Sequence, residues 1–124
     1  MAPAQSVIGW LLHPADREAL LAAIAPAYPR VVAHHVTLKF DAGPGEAASP
    51  VAAAAVVGVA DDASGVQALV VEIDGETRRP DGSTYHITWS LAPNRRPVES
   101  NAVIAEHGWT PSPRFAIRLI AARF

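Results

Sequence analysis

Cysteine is absent from this 124-residue chain, so no disulfide framework, thiolate zinc site or cysteine nucleophile is available to it. Aromatic residues make up only 6% of the sequence, whereas half of it is apolar, with alanine supplying much of that half. The core is therefore expected to rest on many small contacts and few large rings. An excess of positive charge is missing too, the formal net charge being −2 with neutral histidines. Tight binding to duplex DNA, which rests on neutralising phosphates with many lysines and arginines, is not expected. A small phosphorylated ligand or the tip of a nucleic-acid strand stays open. The longest apolar-rich run, Val51–Ala60, is too short and alanine-rich to span a bilayer. The opening MAPAQSVIGWLLHPADRE also lacks the basic start and long apolar stretch of a secretory signal. The expectation is a soluble cytoplasmic protein without a membrane partner, forming one domain over residues 1–124.

What the chain does contain is a regular alternation of element signals. SVIGWLL (6–12) reads as a buried strand, and Pro14 with Asp16 and Glu18 opens a helix carrying Leu20, Ile24 and Ala27 until Pro29 stops it. VVAHHVTLKF (31–40) reads as a strand, followed by the loop DAGPGEAASP. Residues 51–59 are ambiguous between helix and strand, with strand preferred, and VQALVVEI (66–73) is a clearer strand. GETRRPDGST is a polar loop with a turn at Asp81-Gly82, and YHITWSL (85–91) is the next strand. Ser100 is placed to cap a short helix bearing Val103 and Ile104 that ends at Gly108, and FAIRLIAARF (115–124) closes as a strand. The order is β-α-β, two middle strands, then β-α-β. It points to an α+β (α/β) fold of two similar lobes, approximately 1–50 and 51–124, around a shared cleft.

Each outer unit holds the same short pattern on a strand: HHVTLKF at 34–40 and YHITWSL at 85–91. Side chains alternate along a strand, so His35, Thr37 and Lys39 share one face, as do His86, Thr88 and Ser90. The opposite faces, Val36/Leu38/Phe40 and Tyr85/Ile87/Trp89/Leu91, are apolar, and His34 falls with the first of them. Repetition of His-x-Thr on two polar faces suits phosphodiester chemistry without a metal. A neutral imidazole takes a proton from the attacking oxygen, and an imidazolium gives one to the leaving oxygen. A threonine beside each donates to a phosphate oxygen as its charge grows. Lys39 offers a point charge to the same anion, or is a solvated strand lysine. Arg78 and Arg79, in the polar loop, are either phosphate contacts or plain surface residues. Arg95 and Arg96 pose the same choice. Trp10, Tyr85 and Trp89 are core residues or stacking platforms. Five histidines also raise a metal site, but their spacing matches no standard zinc pattern and no carboxylate lies near the motifs.

HVTLKF and HITWSL resemble the paired His-x-Thr/Ser motifs of the 2H phosphoesterase superfamily, whose members have a bilobal α/β fold with antiparallel-rich sheets lining a central cleft. The likeness extends to the order of elements along the chain, although its specific part is about a dozen residues. It implies that His35 and His86 are the catalytic acid–base pair and that Thr37 and Thr88 bind the phosphate; the shared strand face adds Lys39 to the expected phosphate contacts. The implied activity is hydrolysis of a 2′,3′-cyclic phosphate on an RNA end or a small nucleotide, with no cofactor or metal. Ligation through a 2′,5′ linkage, or a non-catalytic nucleotide or RNA-end binding module, are the alternatives. Two departures from the family stand out: the motifs are close together, and His34 occupies a position that is usually apolar.

Overall fold

The computed structural model describes residues 6–124. Its elements, in chain order, are β1 (Ile8–Leu12), α1 (Pro14–Ala23), β2 (Arg30–Val31), β3 (His35–Lys39), β4 (Ala54–Asp61), β5 (Val66–Ile73), β6 (His86–Leu91), α2 (Glu99–His107), β7 (Thr110–Ile117) and β8 (Leu119–Arg123). They form an α+β fold with two antiparallel sheets, one ordered β3-β1-β8 and the other β2-β6-β5-β4-β7. The first sheet draws on both ends of the described chain, since β8 pairs with β1. The second takes in β2 from the N-terminal half.

The main apolar cluster lies between the sheets, where Trp10 and Val36 meet Val56, Leu69, Val71, Ile87 and Trp89, with Leu20 of α1. A second cluster packs Val103 and Ile104 of α2 against Val66, Ala68, Val70 and Leu91 on the other face of the larger sheet. Strand β5 is thus buried on both faces, which is why its sequence is nearly continuous in apolar residues.

Two runs read as single strands are each divided between the sheets. In 31–40 the chain follows β6 as far as Ala33, whose N–H donates to the Thr88 carbonyl at 3.0 Å. Ala33 then adopts φ +46°, and β3 leaves for the other sheet. In 115–124 the break is at Arg118, whose N–H and guanidinium are both held by the Asp16 carboxylate. Helix α1 ends at Ala23, short of Pro29, because Ala25 precedes Pro26 and is barred from helical geometry. Helix α2 begins at Glu99 and ends at Gly108 with φ +72°, as expected, but Ser100 lies buried inside it and caps nothing.

Gly9 sets how closely β1 and β3 approach. A Cβ there would stand 2.1 Å from the Val36 carbonyl oxygen and 3.0 Å from the Thr37 Cα, both backbone atoms that cannot give way cheaply. Gly9→Ala is expected to destabilise the fold by roughly 2–3 kcal/mol, as overpacking does. Urea unfolding measures it, and an unchanged midpoint would contradict this account of the β1–β3 contact.

Candidate active site

Strand β3 brings His35 and Thr37, and β6 brings His86 and Thr88, to a single cleft of about 230 Å³. The four residues of the repeated motif therefore converge from different sheets. Phe40, Val98 and Pro97 supply the apolar part of the lining, Asn101 reaches it from α2, and Arg79 from the β5–β6 hairpin.

Lys39, expected on the face of His35 and Thr37, lies outside this cleft. Its ammonium pairs with Glu46 at 2.6 Å and lines a neighbouring groove. Strict alternation fails here because Gly9 pairs with Thr37 while Ile8 pairs with Lys39, leaving Leu38 as an extra residue. Beyond that bulge the faces exchange, and Phe40 lines the cleft in the place alternation gave to Lys39. An equivalent slip in β6, where Gln67 pairs with Ser90 and Ala68 with Thr88, turns Ser90 away from Thr88. The Ser90 hydroxyl accepts from the Tyr28 N–H and donates to Gln67 Oε1 at 2.6 Å, a structural role. The same slip moves Leu91 to the α2 side, apart from Ile87 and Trp89.

Each histidine has a defined partner. His86 is 9% exposed, and its Nδ1 lies 2.8 Å from the Thr84 carbonyl oxygen. A carbonyl only accepts, so Nδ1 carries the proton and Nε2 of the neutral ring is the basic nitrogen. Burial pushes the His86 pKa down against the opposing pull of the Thr84 hydrogen bond, and the Arg79 charge lowers it further. His35 is pushed down to about 4, first by burial and then by His34 and His86. Its Nδ1 lies 3.0 Å from Nδ1 of His34, and its ring packs against Phe124 with centroids 4.4 Å apart. His34 itself is exposed, not packed with Val36, because it precedes β3 and follows the turn at Ala33.

These shifts carry a consequence for stability. In the unfolded chain the imidazoles take protons near their ordinary value of 6.5, whereas folded His35 resists until about 4. As pH falls below about 6.5 the unfolded state binds more protons, so stability declines and levels off near the folded value. Urea midpoints should drop between pH 7 and pH 4, with a shallower drop in His35→Gln. Equal slopes in the two proteins would contradict the burial of that ring.

Thr88 is anchored from α2: its Oγ1 donates to the Pro97 carbonyl at 3.2 Å and shares a hydrogen bond of 2.8 Å with Ser100 Oγ. The buried serine that sequence reading placed at a helix cap in fact fixes a motif threonine. Arg79, left open in the sequence between a phosphate contact and a plain surface residue, is not a surface residue. It is only 3% exposed, with Nε and Nη2 on the Asp81 carboxylate at 3.1 and 3.0 Å. Nη2 also donates to Asn101 Oδ1 at 3.1 Å, Nη1 lies 3.4 Å from the Thr37 carbonyl oxygen, and the guanidinium sits 5.4 Å from the Phe40 ring centre. The Asp81-Gly82 turn folds the hairpin back so that Arg79 N–H meets the Ser83 carbonyl and Gly82 N–H meets that of Arg79. Asp81 is held well below the usual carboxylate range by that guanidinium, and it lies outside the cleft. Among the described residues the cleft is thus lined by one cation and no carboxylate, an arrangement that favours an anion.

The remaining singled-out residues are placed away from this cleft. Arg78 lines a separate groove, and Arg95 is tied to Asp62 and Glu99. Trp10 and Tyr85 pack edge to face in the core at 6.0 Å, and the Trp89 indole donates to the Ile24 carbonyl. His13 caps α1 through its Nδ1, and His107 ends α2. Among the described residues, no three His, Asp or Glu side chains form a group that could hold a metal ion. No helix of the described residues is long and apolar enough to cross a membrane. Compared with known proteins, the chain matches no family model, no curated protein and no solved structure.

Proposed function

We propose that this chain is a metal-independent phosphodiesterase of the two-histidine type, opening a 2′,3′-cyclic phosphate on an RNA end or a small nucleotide. The observation that carries this reading is the convergence of His35, Thr37, His86 and Thr88, from two sheets, on one cleft beside a buried arginine. The two sheets are read as the two lobes of the 2H phosphoesterase arrangement, and a cytoplasmic location accompanies that reading.

In the reaction, water attacks phosphorus as His86 Nε2 takes its proton, the bond from phosphorus to one ribose oxygen breaks, and His35 protonates that oxygen. The assignment follows from the Thr84 carbonyl, which keeps His86 Nδ1 protonated and Nε2 basic. Arg79 and the Thr37 hydroxyl stabilise the growing charge on the phosphoryl oxygens, and the Thr88 hydroxyl joins them by turning its one hydrogen from the Pro97 carbonyl to the phosphate. A cleft of about 230 Å³ suits a phosphate with its sugar or the tip of a strand, and is smaller than a typical drug-sized pocket.

The test is incubation, with EDTA present, with the four nucleoside 2′,3′-cyclic monophosphates and a short RNA ending in a cyclic phosphate. Ring opening to a 2′- or 3′-phosphate is expected. Binding without turnover on every substrate would replace the enzyme with a nucleotide-binding module, a reading favoured by the low proton affinity of His35 in the free cleft. Joining of RNA ends in place of hydrolysis would assign the reverse, ligase-type reaction.

A further inference from the structure

The hydrolytic reading leaves an unsolved requirement. One histidine must deliver a proton to the leaving oxygen near neutral pH, yet His35 lies in surroundings that disfavour its charged form. His34 stands beside it, exposed to solvent and outside the cleft, with the two Nδ1 atoms 3.0 Å apart. Adjacent residues on a regular strand point to opposite faces and could not meet in this way. Here the left-handed turn at Ala33 and the start of β3 at His35 bring the rings together at an interplanar angle of 82°.

We infer that His34 is a positioning residue for His35 and its proton source, passing a proton taken from solvent through the Nδ1–Nδ1 contact as His35 Nε2 protonates the leaving oxygen. This inference rests on the phosphodiesterase reading above. Two Nδ1 atoms at 3.0 Å can share only one hydrogen. With that hydrogen on a protonated His34, His35 is neutral, with its own hydrogen on Nε2 and its ring lining the cleft. Transfer then balances: Nε2–H breaks and the ribose O–H forms, while His34 Nδ1–H breaks and His35 Nδ1–H forms. His34 goes from imidazolium to neutral imidazole, and His35 exchanges one neutral tautomer for the other. At no stage does the buried ring hold the extra charge. Solvent afterwards returns a proton to the pair and takes the one acquired by His86.

The other groups facing this pair are consistent with such a role. His86 faces it from β6, Arg79 lines the same cleft from the β5–β6 hairpin, and Phe124 covers the His35 ring beyond β8. Among the described residues no carboxylate lines the cleft to hold an imidazolium there. A proton carried outside the cleft therefore avoids both the burial and the Arg79 charge.

The test compares wild type with His34→Gln, whose amide still donates a hydrogen bond but cannot carry an added proton. On a cyclic nucleotide, kcat/KM of His34→Gln should fall about 10²-fold at pH 7–8, the low end of what one proton-transfer group supplies. The loss should shrink towards pH 5, because the alkaline limb of the profile moves to lower pH when His35 must bind the proton itself. Removing His34 relieves only the second cause of the His35 shift, and burial, the first, remains. Added imidazole should restore part of the activity of His34→Gly. Nitrogen-15 NMR of the free wild type should show His34 Nδ1 protonated and His35 Nδ1 bare at mildly acid pH. Unchanged pH profiles in His34→Gln, or a uniform loss at every pH, would overturn the relay alone, as would a proton resident on His35 Nδ1. No turnover in the wild type would overturn the phosphodiesterase reading and the relay with it.

Discussion

His86→Ala and His35→Ala should each lower turnover of a cyclic nucleotide by about 10³-fold or more, a loss at the upper end of what one acid–base group supplies. The two losses should not add in the double variant, because proton removal and proton donation belong to one transition state. His86→Ala should be the more severe near neutral pH. It removes the only ring whose Nε2 is held basic by a fixed Nδ1–H to Thr84, and water bound in its place has no comparable proton affinity. Affinity for a nucleoside 2′-phosphate should change far less, since Arg79, Thr37 and Thr88 remain. Measuring kcat by product formation and product affinity by calorimetry separates the two effects. Equal losses of affinity and turnover would recast the histidines as binding groups.

Arg79→Ala should act on both function and stability. Among the described residues, loss of the buried cation removes the only arginine or lysine lining the cleft, and one such group aimed at developing charge accounts for about 10²- to 10³-fold in rate. The fold should also weaken by about 1–3 kcal/mol, the range for leaving buried polar partners without a donor. Here those partners are Asn101 Oδ1 and the Thr37 carbonyl. Asp81 contributes less to that loss, because its half-exposed carboxylate regains water. Arg79→Lys keeps the charge but cannot span Asp81, Asn101 and Thr37 together, so it should recover stability better than rate. Steady-state kinetics beside urea unfolding make the comparison. An Arg79→Ala protein as active as wild type would show that the guanidinium holds the hairpin and does nothing for the anion.

Much of the molecule was legible in its residues, and the exceptions share a cause. Strand β5 coincides with the apolar run from Val66 to Ile73, and α2 ends at the glycine expected to end it. The two motifs lie on strands, with His35 beside Thr37 and His86 beside Thr88 on the cleft side. Alternation could not reveal the bulges at Leu38 and Trp89, which depend on pairing with distant strands. Lys39, Phe40, Ser90 and Leu91 were for that reason given the wrong neighbours. The crossings at Ala33 and Arg118 were hidden similarly, because a strand that changes sheets keeps the same local composition. Arg79 looked like any charged loop residue. Its burial comes from a turn that folds a polar hairpin onto β3, a tertiary fact that loop composition does not carry. Ser100 was read as a cap because capping is local, whereas its actual partner, Thr88, lies on another element.

The claim on which the account stands is that one anion is held between the two motifs. Titrating wild type with adenosine 2′-monophosphate while following the imidazole resonances of His35 and His86 examines it in a single experiment. A bound phosphate should move both sets of resonances with one dissociation constant. It should also raise both pKa values from their depressed positions, because negative charge favours the imidazolium. Resonances that stay fixed, or a response confined to one of the two rings, would contradict the shared site and with it the mechanism built on it.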